Sequence, residues 1–317
     1  MNWITKLDKF SNFKYLSNAM KSQKKAYIFA LLAVACWSTI GSAFKISLQF
    51  LEPVFLLLIS SLVACLVLIF ILAVQNKIRL LRELSLKDLR NSAILGFLNP
   101  FLYYVVLLEA YDILKAQEAG TLNYIWPVFL VLLSIPILDQ RISLKSIAAI
   151  VISFSGIILI SLHPETLTER ISPGFDSLRI KGIVLAVGSA LLWALYWIYN
   201  IKDRRETVSK LFLNFIFGFI YTFLLALLTG NLQLPSWQGT LCGIYVGIFE
   251  MGLTFVLWLF ALQFSVTTAK VSNLIYLSPF LSLILIHFVV GEVILISTLI
   301  GLVLIIAGII LQQYLRR

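Results

Sequence analysis

One carboxylate, Glu250, lies near the middle of the apolar run Trp237–Leu262. An ionised side chain at mid-bilayer costs roughly 3 kcal/mol or more, so such a group is seldom idle. It can bind a substrate amine, carry a coupling proton, or sit protonated and hydrogen-bonded between helices. Asn99, in FLNPF (97–101), precedes Met251 by 152 positions and brings a second polar group to nearly the same depth. Two further stretches, LNYIWP (122–127) and LIYLSP (274–279), place prolines inside apolar runs. Pro127 and Pro279 have no N–H, so the carbonyls of Asn123 and Ile275 lose their helical donors. In lipid those carbonyls need protein or water to satisfy them. Asn123, Tyr124, Asn273 and Tyr276 are the polar groups within reach. Either both segments are kinked and line a central cavity, with Pro127 and Pro279 as kink or gating positions, or the kinks merely pack a bundle.

Aromatic residues add to this set: Trp37 beside Ser38, and Trp193, Tyr196 and Trp197. Trp193 and Trp197 are four apart and share a helix face. Aromatic walls with a few polar tips suit a flat amphipathic ligand or a cation. An interfacial belt or core packing is the other reading, above all for Trp197. Lys45, Glu109, Asp112, Lys115 and Glu118 gather near one mouth, as gate ion pairs or as a solvated rim. Enzyme chemistry is poorly provided for. There are two histidines, His163 and His287, and no G-x-S-x-G, H-E-x-x-H, Walker A or C-x-x-C motif. Neither a metal nor a cofactor is expected. Cys36, Cys65 and Cys242 all fall in apolar runs and read as small buried residues rather than a disulfide framework.

The elements that position these groups follow from composition. The chain has 317 residues, 60% hydrophobic and 13% charged, with mean hydropathy +0.97. Soluble domains are roughly half apolar and a quarter charged, so this is an all-α integral membrane protein. Each span needs about 20 apolar residues. Ten stretches qualify: Ala26–Leu48, Pro53–Val74, Leu89–Leu108, Ala116–Leu138, Leu144–Leu162, Ile180–Asn200, Leu211–Gly230, Trp237–Leu262, Val266–Val290 and Val293–Tyr314. Ten spans put both termini on one side, which collects most of the Lys and Arg, including Lys77, Arg79, Lys202, Arg204 and Arg205. The positive-inside rule makes the termini cytoplasmic. The net charge of +10 thus reflects topology and not a nucleic-acid partner. Residues 1–25 read as a basic tail, either amphipathic on the anionic leaflet or disordered.

An ungapped offset of 152 aligns Tyr124 with Tyr276, Pro127 with Pro279, and Gly156, Ile157 and Ile158 with Gly308, Ile309 and Ile310. The chain therefore reads as two five-span repeats, 26–162 and 180–317, joined by a polar linker, 163–179. Five is odd, so the copies sit inverted in the bilayer. Inverted repeats around a shared central cavity are a transporter signature, since a pseudo-two-fold axis lets one site face either side in turn.

With CWST (36–39), NYIWP (123–127), LWALY (192–196) and GE (291–292), the chain resembles the drug/metabolite transporter superfamily, EamA branch. It is most similar there to bacterial aromatic amino acid exporters of the YddG type. The resemblance covers about residues 26–315. It implies a basket of ten helices with spans 1, 3, 4, 6, 8 and 9 around the cavity. It also implies alternating access across the inner (plasma) membrane and export of amino acids or related metabolites. It carries Trp37, Ser38, Asn123, Tyr124, Trp126, Pro127, Trp193 and Tyr196 into the site. The partners so implied are a small-molecule substrate, the lipid bilayer and, as a candidate coupling ion, the proton. Transport of a nucleotide sugar or a lipid-linked sugar is the alternative, with a membrane enzyme or a receptor further off.

Overall fold

Helix formation here needs little help from capping, because lipid leaves backbone groups no other partner. The computed structural model describes residues 22–138, 144–161, 173–230, 232, 234–265, 271 and 273–315. The basic tail up to residue 21, His163, Lys270 and the first part of the expected linker lie outside them. The described residues form ten long helices and no strand. They are α1 (Gln23–Ser47), α2 (Pro53–Val74), α3 (Leu86–Ile113), α4 (Ala116–Ile137), α5 (Leu144–Ser161), α6 (Pro173–Lys202), α7 (Thr207–Thr229), α8 (Trp237–Leu262), α9 (Leu274–Val290) and α10 (Ile296–Leu315). Seven are long and apolar enough to cross a membrane by length and composition, and the apolar parts of α5, α9 and α10 are shorter. Local signals set the starts. Ser22 and Ser236 accept backbone N–H groups at the first turns of α1 and α8, Pro53 opens α2, and the Glu206 side chain caps α7. Residues 173–179, expected in the linker, instead form the first turns of α6.

Four helices are broken. α3 carries a π-helical segment at Phe97–Leu102, where Asn99 is extended (φ −152°, ψ 124°) and the Asn99–Pro100 peptide is cis. α8 carries the matching segment at Gly247–Gly252. α4 stops at Asn123 and resumes at Trp126, one residue before Pro127. A 3₁₀ turn, Asn273–Tyr276, leads into α9 ahead of Pro279, and α9 ends in a further π-helical segment, Ile286–Val290.

Packing is closest where small residues let backbones approach, the usual solution between membrane helices. α5 crosses α10 at Gly156, Gly301 and Gly308; a Cβ on Gly301 would stand 2.9 Å from the Gly156 carbonyl. Ser153 donates to the Ile305 carbonyl across the same crossing (3.1 Å). α7 seats Gly218 against Pro100 in the α3 break, and α2 meets Gly247 in the α8 break through Val63 and the Ser60 carbonyl. α1 packs on α8 and α9, α6 on α3 and α4, and α2 on α7. Exchanging α1–α5 with α6–α10 reproduces this set of neighbours. Outward faces are apolar, as at Leu66, Phe70, Val151, Ile158, Val184 and Phe288, and are solvated by lipid chains.

Candidate functional site

Six helices leave a central cavity of about 120 Å³. α1 contributes Trp37, Ile40, Gly41 and Phe44, a single stripe at helical spacing. α3 contributes Tyr103, Leu107 and Tyr111, four apart. The broken middle of α4 supplies Asn123, Tyr124 and Trp126, and its first turns supply Gln117, Gly120 and Thr121. α6 adds Trp193 and Trp197, α8 adds Glu250 and Trp258, and α9 adds Ile275, Pro279 and Ser282.

Glu250 is 5% exposed. Its Oε1 accepts the Tyr104 hydroxyl at 2.9 Å, while Oε2 has no hydrogen-bond partner. The Tyr104 ring stands edge-on to Tyr103 at 4.6 Å, and Tyr103 lies 4.7 Å from Trp193. Trp37 and Trp258 are 5.6 Å apart, and Trp197 stacks on Phe255 at 6.2 Å. The carboxylate thus faces a box of rings. Gly41 and Gly120 make room for the Tyr111 hydroxyl: a Cβ on Gly120 would approach it to 2.8 Å. Asn123 accepts from the Tyr103 hydroxyl (3.4 Å) and donates to Ser189 on α6 (2.8 Å).

The residues singled out in the sequence divide. Trp37, Asn123, Tyr124, Trp193, Glu250 and Pro279 come together around the cavity. Ser38, one position off the α1 stripe, back-bonds to the Val34 carbonyl (2.6 Å) and lies 3.5 Å from Ser278. Tyr196 turns to α7, where Asn214 donates to its hydroxyl (3.5 Å). Asn99 is fully buried in the α3 break, away from the cavity lining, and neither of its amide atoms has a partner. Tyr276 is buried, and Pro127 packs in the α4 break; neither lines the cavity. Asn273 lies in the 3₁₀ turn, and its side chain is outside the described residues. Sequence reading passed over Tyr103, Tyr104, Tyr111 and Trp258. The i, i+4 series 103, 107, 111 is the signal that marks one face of α3.

The two ends of the bundle are closed differently. At the end away from the termini, the Glu292 carboxylate accepts the N–H groups of Ala116 (2.7 Å) and Gln117 (3.2 Å), the first residues of α4. The Gln117 side chain donates to the Val293 carbonyl (2.8 Å) and accepts from Leu295 N–H (2.9 Å). Nearby, Lys45 donates to the carbonyls of Tyr111 and Leu114, both at 2.8 Å. Glu118 pairs with Arg179 at 2.7 Å, buried, and Glu109 pairs with Lys181 at 2.8 Å, half-exposed. The mouth is therefore ion-paired within and solvated at its rim. At the other end Arg205 donates to the Asp88 carbonyl (3.0 Å) and to Ser92 (2.8 Å), holding α3. Burial pushes the Asp203 carboxyl up, but the Arg205 hydrogen bonds outweigh it and hold that carboxyl below its usual range.

Among the described residues no group of His, Cys, Asp and Glu could hold a metal ion. The profile of the EamA-like transporter family matches residues 24–162 and, a second time, 180–312. An uncharacterized transporter of Clostridium kluyveri is 28% identical over 299 residues, spanning 91% of this chain and 93% of its own length. The uncharacterized transporter YvbV of Bacillus subtilis is 23% identical, spanning 92% of this chain and 93% of its own. An uncharacterized transporter of Archaeoglobus fulgidus is 24% identical over 90% of this chain and 97% of its own. One crystal structure shares the fold with TM-score 0.63 at 20% identity, covering 92% of this chain and 96% of that one.

Proposed function

The chain belongs to the EamA-like transporter family, and from that premise we propose that it is a secondary transporter exporting small amphipathic metabolites, amino acids among them, by alternating access. At the coarser level it is a multi-pass membrane transporter, akin in family to relatives named as transporters. The observation that carries the finer reading is the cavity shared by α1, α3, α4, α6, α8 and α9, into which a buried carboxylate and the α4 and α9 breaks project. Two inverted repeats, 26–162 and 180–317, account for the neighbour set that survives exchange of halves. They also account for the double family match. Both termini are cytoplasmic in this proposal, on the charge asymmetry of the loops. Trp37, Asn123, Tyr124, Trp193 and Glu250 contact the substrate; Pro127 and Pro279 keep α4 and α9 hinged.

Counterflow of labelled amino acids in proteoliposomes tests this directly. Saturable exchange that requires the same solute on both sides is expected for at least one of a panel of amino acids. Protein-dependent flux indistinguishable from empty liposomes across that panel, with the protein folded, removes the amino acid reading.

A further inference from the structure

We propose that this cavity selects monovalent organic cations, a primary ammonium on a flat apolar body, over the matching zwitterions, with the ammonium seated on Glu250. The inference deepens the transport reading, whose site it uses.

Two observations combine. First, Glu250 lines the cavity, its Oε2 is buried and has no hydrogen-bond partner, and its Oε1 is held by Tyr104. The tether fixes the carboxylate and leaves one oxygen for a ligand donor. Trp37, Trp193, Trp258 and Tyr103 line the same space. Rings so placed attract a cation and cover an apolar body. Second, Glu250 is the one charged side chain among the described lining residues, which include no Lys, Arg or His. A ligand carboxylate would meet only neutral donors there, indole N–H and hydroxyl groups, and no opposite charge. Both Gln117 amide N–H groups go to Glu292 and Val293, and one Asn123 amide N–H goes to Ser189. Burying a carboxylate without compensating hydrogen bonds or an opposite charge is costly. The cavity therefore penalises the carboxylate of a zwitterion while it rewards the ammonium.

The test is binding to the purified full chain in detergent, by calorimetry, of four ligands that share one body. They are 2-phenylethanol (neutral), phenethylamine and phenylalaninamide (cationic), and phenylalanine (zwitterionic). The expected result is that both cations bind about tenfold tighter or more than phenylalanine. Glu250→Gln should weaken phenethylamine by about tenfold or more and leave the weak binding of 2-phenylethanol as it was. Phenylalanine binding as well as phenethylamine, no binding of either cation, or an unaltered cation affinity in Glu250→Gln would each overturn the proposal. The ligand ranking is read on the unsubstituted protein, so a misfolded variant cannot hide the answer. Binding of phenethylamine without its counterflow in proteoliposomes would sink the transport reading and leave this one standing. Phenylalanine counterflow that ignores Glu250→Gln would do the reverse.

Discussion

The breaks in α3 and α8 are built alike and used differently. Each carries a π-helical segment with a polar residue near its centre, Asn99 in one and Glu250 in the other, though the extended residue and the proline belong to α3. Each is pressed by a neighbour from the opposite half, α7 on α3 and α2 on α8. Yet Glu250 lines the cavity with a free oxygen, whereas Asn99 is sealed off with its amide unmet. Symmetry thus extends to the position of the π-helical segment and stops at its backbone detail and its chemistry. An open π segment leaves backbone groups that another helix must cover, and the same small-residue contact serves both copies. Which side chain reaches the ligand depends on a rotation of one or two positions about the helix axis.

The widest gap between the two breaks concerns solute flux. Glu250→Gln is expected to cut exchange in proteoliposomes by about tenfold or more, as loss of a desolvated charge contact does. Wild-type flux in that variant would place Glu250 beside Asn99 as a packing residue. The contacts behind the breaks come next. Gly218→Ala would drive a methyl into Pro100, and Gly247→Ala would drive one to 2.7 Å from the Ser60 carbonyl. Each is expected to lower stability by about 1–3 kcal/mol, read as a fall in the detergent thermal midpoint. Gly188→Ala, with open space around it, is the control and should gain about 0.5–1 kcal/mol. If only one of the first two variants is destabilised, the breaks are not mechanically equivalent.

A comparable but opposite effect is expected at Asn99. Asn99→Leu removes two buried unmet polar atoms while keeping the side-chain heavy-atom count, and should raise stability by about 1–3 kcal/mol. A fall in the thermal midpoint would mean that the amide is satisfied and works for the fold. The smallest effect separates the anchoring of the two helices. Arg205 ties α3 to the loop after α6 through Asp203, and no such clamp holds α8 among the described residues. Because the Arg205 hydrogen bonds hold the folded Asp203 carboxyl below its ordinary value of 3.8, its stabilising contribution is complete above that value. It is lost as pH falls through the lower folded value. Hydrogen exchange in α3 should therefore rise below pH 3.8 relative to α8, and Asp203→Asn should erase the difference.

Much of this architecture is legible in the residues, because apolar length and proline position act locally. The turn before Pro127 and the 3₁₀ turn before Pro279 follow from a missing N–H, and α2 runs over the expected Pro53–Val74. Facing is harder. Ser38 and Tyr196 were picked for being polar beside a tryptophan, but one residue of helix is about 100° of rotation. Ser38 spends its hydroxyl on Val34 and Tyr196 meets Asn214. Tyr104 was overlooked because its hydroxyl matters only through Glu250, 146 residues away, and nothing local records such a pairing. The start of α6 at Pro173 was missed for a different reason: its polar first turns stand outside the apolar band that defines a span.

The Glu292 clasp on α4 has a kinetic meaning. One carboxylate gathers the leading amides of a pore helix, and the Gln117 side chain returns the grip to the α9–α10 junction. These bonds share two side chains, so they cannot be surrendered one at a time without stranding the others. Under the alternating access proposed above, that end would open in discrete clicks rather than by gradual widening. The dwell time between clicks would be set by a latch whose carboxylate, Glu292, stands outside the cavity lining.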